Sequence, residues 1–281
     1  MTKYRGRIAP SPTGYLHLGH AVTFWRAQER VHENDGKLVL RIEDLDRDRC
    51  AKEFADAVVD DLRWFGLRWD EGWDVGGPFG PYVQSQRRDL YLAKWKELLE
   101  ADLIYPCTCS RRDVLQAANA PHHENEEPLY PGTCRARKGS IEEITNPAGY
   151  NWRFRVPDGE AMQFVDRRLG KQQAVAGVDF GDFIVWRKDD VPAYQLAVVA
   201  DDAAMQISEV VRGEDLLLST FRQLLLYRAL NLGVPDFFHT ELITDVSGHR
   251  LAKRDAALSL RELRRSGVDA GELRKKYLSS L

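Results

Sequence analysis

The chain lacks any apolar run near the ~18 residues that a membrane-spanning helix needs. Its opening residues, MTKYRGRIAPSPTG, carry no apolar secretion core. Both absences argue against a membrane or secreted protein and for a cytoplasmic one. An excess of charge of one sign is missing too. Forty basic residues stand against 43 acidic ones, a net charge of -3, so the surface is not a globally basic coat for nucleic acid, although a local patch remains open. There are no internal repeats and no low-complexity linkers. Cysteine is scarce: Cys50, Cys107, Cys109 and Cys134 are the only four. In a cytosolic chain, a cluster of three such residues points to a metal before it points to disulfides.

What is present is enough for a sizeable core, with 281 residues of which 43% are hydrophobic. Arg5 to Ala9 reads as a strand and Leu18 to Val31 as a helix. KLVLRI (37–42) has the near-continuous apolar run of a buried parallel strand. Phe54 to Phe65 reads as an amphipathic helix closed by Gly66. Residues 72–82 form a Gly/Pro loop, Ser85 is placed to cap a helix from Gln86 to Glu100, and LIYP (103–106) is a short apolar step. The order β-α-β-α-α-β predicts an α/β fold with a doubly wound parallel, Rossmann-type sheet. From Cys107 the rhythm breaks into short strands and turns, read as an inserted α+β subdomain. It resumes at Tyr194 with a helix to about Ala204, a strand Ser208 to Arg212, a helix Leu216 to Leu230 and a strand Phe238 to Thr244. The expected organisation is a first catalytic half (1–106), an insert (107–190), a second catalytic half (191–255) and a helical tail (256–281).

Three stretches carry chemistry. RIAPSPTGYLHLGH (7–20) is a strand, a Pro- and Gly-containing turn and a helix start. A helix N-terminus offers free amides and positive partial charge to a phosphate. His17 and His20, three apart, share one side of that start. HRLAKRD (249–255) is a basic heptad after a strand, of the kind that can close on phosphates. Between them, Arg7, Glu43 and Arg212 fall in strands or at their C-terminal ends, where open α/β sheets bind ligands, and Tyr194 starts a helix. Two guanidinium forks match two carboxylates, and one carboxylate matches one ammonium. The same three ionic residues could instead pair with one another. Cys107, Cys109 and Cys134 make a structural zinc site if a fourth ligand exists. Generic zinc chemistry favours His122 or His123, and Tyr130 is the other candidate.

PSPTGYLHLGH resembles the "HIGH" signature of class I aminoacyl-tRNA synthetases, in the form used by the glutamyl and glutaminyl branch. HRLAKRD resembles their "KMSKS" loop in degenerate form, with Arg250 at the first lysine, Ala252 in place of serine and Lys253 retained. DVGGPFGPYVQSQR (74–87), AYQLAVVADD (193–202) and VVRGEDLLLST (210–220) agree, so the likeness covers residue 5 to about 260. The resemblance implies a glutamate site of Arg7, Ile8, Ala9, Pro10, Ser11, Glu43, Tyr194 and Arg212. It implies an ATP site of His17, His20 and Lys253, with Mg²⁺ accompanying ATP. It also implies one structural Zn²⁺ with Tyr130 as the fourth ligand.

A glutamyl-tRNA synthetase continues past this loop into a helical domain that reads the anticodon, whereas this chain stops 28 residues after Lys253. The sequence therefore resembles the truncated family of glutamyl-queuosine tRNA(Asp) synthetases. That resemblance implies activation of L-glutamate with ATP and its transfer to queuosine in the anticodon loop of tRNA(Asp), by a monomer without membrane contact. Arg111, Arg112, Arg135, Arg137 and Lys138 are then candidates to meet RNA phosphates. Two other readings stay open: a glutamyl-tRNA synthetase without its anticodon domain, and an inactive synthetase-like RNA-binding module.

Overall fold

β1 (Arg5–Ile8) and β2 (Lys37–Leu40) pair in parallel with Arg5 opposite Lys37 and Ile8 opposite Leu40. The computed structural model describes residues 3–110, 112–114, 129–136, 144–242 and 259–278. Both strands are buried almost throughout, as expected where helices cover both faces of a parallel sheet. α1 (Leu18–Glu33) connects them, and its buried residues Leu18, Ala21, Val22 and Val31 join the sheet's core. α2 (Lys52–Phe65) repeats apolar residues at helical spacing and buries Val58, Leu62 and Phe65. It ends at Gly66 in the left-handed conformation, φ 101°, as the sequence predicts.

The third parallel strand is not the expected one. β3 (Glu71–Gly72) joins β2 within the stretch read as loop. Ser85 is not a cap either. A 3₁₀ turn spans Gln84–Gln86, α3 runs Arg88–Glu100 without a side-chain cap, and the Ser85 hydroxyl donates instead to Asp44 at 2.6 Å. A nearby carboxylate is the stronger acceptor.

The following strands are β4 (Ile104–Cys107), β5 (Asn151–Phe154), β6 (Ala161–Asp166), β7 (Gly170–Val175), β8 (Ile184–Arg187) and β9 (Val191–Pro192). β4, the LIYP step, does not continue the parallel sheet but pairs antiparallel with β5, in the order β4-β5-β8-β9. Its Trp152, Trp186 and Phe154 faces pack with α3 around Trp95. α4 (Tyr194–Ala204), β10 (Glu209–Gly213), α5 (Leu217–Ala229) and β11 (Asp236–Thr240) restore the α/β order. β10 and β11 are parallel, and the β6–β7 hairpin joins them through Asp166 opposite Phe237. The sheets of the two halves meet along β1 and β10, where the Ser208 amide donates to Arg5 O at 2.9 Å and Arg7 Nη1 to Val211 O at 2.9 Å. α6 (Leu260–Arg265) and α7 (Ala270–Leu278) close against α1 and α2 through Leu260 and Leu273. No helix among the described residues is long and apolar enough to cross a membrane.

Candidate active site and metal centre

β1 ends beneath the turn that leads into α1. The carbonyls of Ile8 and Pro10 accept from the amides of Arg41 and Glu43 at 3.0 Å each, which fixes the turn over the end of β2. Ile8 is fully buried in the core, Pro10 is buried, Ala9 is half-buried and Ser11 is exposed. His17 precedes the first residue of α1 and forms a bridge with Ser259. Its ring lies 5.5 Å from that of His20, so the two imidazoles do share one side of the helix start.

Arg7, Glu43 and Arg212, the charged residues beneath this turn, do not pair with one another, the alternative that the sequence leaves open. Glu43 pairs with Arg41, not with Arg7 or Arg212. Arg41 is fully buried and reaches Glu43 Oε1 at 2.9 Å, Asp202 Oδ1 at 2.6 Å and Asp201 Oδ2 at 3.7 Å. Burial alone would lower its pKa, but Asp202, Glu43 and Asp201 more than reverse this. Burial pushes the Glu43 carboxyl up, against the pull of Arg41 and Arg7. Asp201 also accepts from Gln84, Arg87 and Tyr91. Arg7 Nε lies 3.5 Å from Asp202 Oδ1. Among the described residues, neither Arg7 Nε nor Asp202 Oδ2 has a hydrogen-bond partner.

Arg212 differs from these. It is 4% exposed, yet none of its described partners is a carboxylate: Nη1 donates to Gln223 Oε1 at 2.8 Å, Nη2 to Thr220 Oγ1 at 2.7 Å and Nε to His239 Nε2 at 3.3 Å. Burial lowers its pKa, offset only in part by neighbouring groups. A guanidinium stays charged at any ordinary pH, so this one is a buried cation held by neutral groups. Tyr194, at the first turn of α4, is half-open to solvent and lies within electrostatic reach of Arg212, Glu43 and Arg7. The fold thus brings Arg7, Glu43, Tyr194 and Arg212 within electrostatic reach of one another. Arg41, Asp201, Asp202, Gln223 and His239 were not singled out from sequence. The signal for the aspartates is the string AYQLAVVADD, which holds both within a largely apolar helix.

The cysteine cluster assembles between β4 and the segment around Tyr130. The sulfurs of Cys107, Cys109 and Cys134 lie within 4.8 Å of one another, Cys109 and Cys134 at 3.6 Å. The phenol oxygen of Tyr130 is 3.4 Å from Cys107 Sγ and 3.5 Å from Cys109 Sγ, and accepts from the Cys134 amide at 2.9 Å. Four ligands around zinc at about 2.3 Å would place sulfurs roughly 3.8 Å apart, so this donor set fits a metal ion. Burial works against ionisation of Cys134, but hydrogen bonds from Tyr130, the Thr108 backbone and the other thiols bring it to about 6. Arg153 adds a cation, with Nε 3.4 Å from Cys107 Sγ and its guanidinium 3.8 Å above the Tyr130 ring. Cys50 stands apart from the cluster.

His122, His123, Arg111, Arg137, Lys138 and the loop with Arg250, Ala252 and Lys253 lie outside the described residues. Of the remaining RNA candidates, Arg112 is exposed. Arg135 is engaged within the protein, by Asp158 at 2.7 Å and the Val156 carbonyl at 2.6 Å.

Residues 3–276 match the family described as tRNA synthetases class I (E and Q), catalytic domain. A glutamyl-Q tRNA(Asp) synthetase from Nitratidesulfovibrio vulgaris is 46% identical over 99% of this chain and 86% of its own length. One from Symbiobacterium thermophilum is 47% identical over 98% of this chain and 86% of its own. Among solved structures, a glutamate tRNA ligase from Elizabethkingia meningosepticum in complex with its amino acid superposes with a TM-score of 0.78 at 31% identity. That match covers 90% of this chain and 52% of the ligase, so this chain spans about half of it.

Proposed function

The chain belongs to the class I tRNA synthetases of the glutamate and glutamine branch, and on that premise we propose that it joins L-glutamate to queuosine in the anticodon of tRNA(Asp). The observation that carries the glutamate half is Arg212, a buried guanidinium with neutral described partners, beside the exposed Tyr194. An anionic substrate supplies the missing counter-charge. Arg7 takes the second carboxylate of glutamate. Arg41 occupies only Oε1 of Glu43, which leaves Oε2 for the ammonium.

In the first step an oxygen of the glutamate α-carboxylate attacks the α-phosphorus of ATP. The bond to the β-phosphate breaks, and pyrophosphate leaves from glutamyl-adenylate. No side-chain nucleophile is required. The protein contributes alignment and charge stabilisation. His17, His20 and the N-terminus of α1 face the phosphates, and Lys253 meets the departing pyrophosphate. Mg²⁺ bound with ATP would neutralise part of the phosphate charge. In the second step a hydroxyl of the queuosine cyclopentene ring attacks the activated carbonyl. AMP leaves, an ester forms, and the hydroxyl proton passes to solvent.

Zinc is the metal the donor set favours, because three thiolates and a phenolate make a closed tetrahedral structural site. Held by Cys107, Cys109, Tyr130 and Cys134, it would tie β4 to the segment around Tyr130. The insert (107–190) then lies between the catalytic halves 1–106 and 191–255, ahead of the tail 256–281. Arg112 is its described candidate for an RNA phosphate. We place the enzyme in the cytoplasm as a monomer.

A charging assay with labelled glutamate tests the reading. Label is expected on tRNA(Asp) carrying queuosine, and none on tRNA(Asp) without it or on tRNA(Glu). Labelling of tRNA(Glu) at its 3′ end would instead identify an ordinary glutamyl-tRNA synthetase. Absence of glutamate-dependent ATP–pyrophosphate exchange would leave only a non-catalytic RNA-binding module.

A further inference from the structure

Arg212 and His239 are register partners across β10 and β11, and the contacts behind them form a directed chain of hydrogen bonds. The imidazole of His239 is fully buried, with Nδ1 2.6 Å from Asp166 Oδ2. A carboxylate only accepts, so Nδ1 carries the proton. Arg212 Nε–H points at Nε2, which must accept there, and burial lowers the pKa of His239 against the pull of Asp166, with the cation of Arg212 lowering it further. The ring is therefore neutral and Nε2 is a bare acceptor. It faces Arg212 Nε at 3.3 Å and the Thr220 hydroxyl at 3.1 Å.

We propose that Asp166 and His239 are a positioning pair that sets the histidine tautomer and so aims Arg212 at the substrate carboxylate. The proposal rests on the reading that Arg212 meets glutamate. A guanidinium has five N–H donors. His239, Thr220 and Gln223 take one each, which leaves one on each terminal nitrogen, the number that a bidentate carboxylate accepts. Gln223 is itself oriented by Gln195, to whose Oε1 it donates at 3.0 Å. The arrangement has a chemical advantage. A carboxylate in direct contact with Arg212 would neutralise it and remove its preference for an anion. A neutral imidazole orients the guanidinium and leaves its charge available, with the negative charge of Asp166 one ring further away.

Asp166 is well placed to enforce this. Its Oδ1 accepts from the amides of Leu169 at 2.8 Å and Arg168 at 3.0 Å, and its Oδ2 from the His239 amide at 3.1 Å. In Asp166→Asn the two turn amides hold the side-chain carbonyl, so the NH₂ group falls on the His239 side. The imidazole must then accept at Nδ1 and carry its proton on Nε2, which can donate to Thr220 Oγ1 but no longer accepts from Arg212 Nε. The outcome is a buried Arg212 N–H without its acceptor, a loss of the order of tenfold to a hundredfold in an equilibrium.

The test combines two readouts on the full chain. Nitrogen-15 NMR of the histidine side chains is expected to show His239 protonated at Nδ1 in the wild type and at Nε2 in Asp166→Asn. Glutamate-dependent ATP–pyrophosphate exchange is expected to show KM for glutamate raised about ten- to a hundredfold, with KM for ATP unchanged. A wild-type His239 protonated at Nε2 overturns the proposal without need of any variant. So does an unchanged KM for glutamate in a variant whose tautomer has switched. A parallel rise in both KM values together with a lower Tm would assign Asp166 a structural role only. Wild-type protein with the expected tautomer but no glutamate-dependent exchange would locate the failure in the glutamate assignment, and the proposal falls with it.

Discussion

Arg41 shows how one side chain organises the site from below without touching its surface. It is buried among three carboxylates, those of Glu43, Asp202 and Asp201, and without it these would repel one another in a medium of low dielectric. Removing one member of such a buried set is costly because the remaining charges lose their compensation. Arg41→Met is expected to lower stability by about 3–5 kcal/mol, the cost of leaving buried charge unpaired, read from denaturant midpoints. A midpoint within error of the wild type would show that Asp202 and Glu43 do not need this cation. The residue was invisible to motif reading because RIEDLD drew attention to Glu43, its pairing partner two positions on. The arginines of the site illustrate the same limit. Arg7 and Arg212 could be named from their positions in strands. That one has an aspartate beside it and the other only neutral described partners is decided by residues 195 and 27 positions away, Asp202 and His239.

At the scale of elements, local patterning served well where an element's own sequence decides its form. α2 combines apolar residues at helical spacing with a terminal glycine, and Gly66 adopts φ 101° at its end. The glycine has a second role there. A Cβ at this position would come within 2.7 Å of Arg274 Nη1 and 3.3 Å of Trp25 Cζ3. Arg274 crosses from α7 over the Trp25 ring at 5.1 Å and donates to the Phe65 carbonyl at the end of α2. Gly66→Ala therefore incurs both left-handed backbone strain and a displaced arginine. An expected loss of about 1–2 kcal/mol follows from the backbone term alone, measured as a shift in urea midpoint. No shift would mean that the cap relaxes into another conformation without disturbing α7. Patterning did less well for LIYP and for Glu71–Gly72. A short apolar segment does not reveal its partner, so the parallel or antiparallel choice for β4 depended on β5, nearly fifty residues later. β3 has two residues, too few to carry any periodicity.

Across the whole molecule, the segment 107–190 is not merely an appendage. Its β6–β7 hairpin joins the parallel sheet at Phe237, and the residue that makes this join is Asp166, the carboxylate behind His239. The same segment carries Tyr130 and Cys134, which meet Cys107 at the end of β4. If zinc closes that cluster, metal binding is linked to folding of the segment. Purified protein is expected to hold about one zinc per chain, in keeping with a single four-ligand site, and removal by a strong chelator is expected to lower Tm. Zinc near zero in a fully active preparation would sink the structural-zinc reading. The sequence by itself determined the α/β class, the strand–turn–helix at residues 7–20 and the cysteine cluster. Each is written in contiguous spacing or in residue types with few alternative uses, because periodicity, turn chemistry and thiol clustering are local properties. Only the tertiary structure decided which charges are compensated, which sheet each short strand enters and that Asp166 stands behind Arg212. Those outcomes depend on distances between residues far apart in the chain, and burial then makes each pairing strong enough to matter.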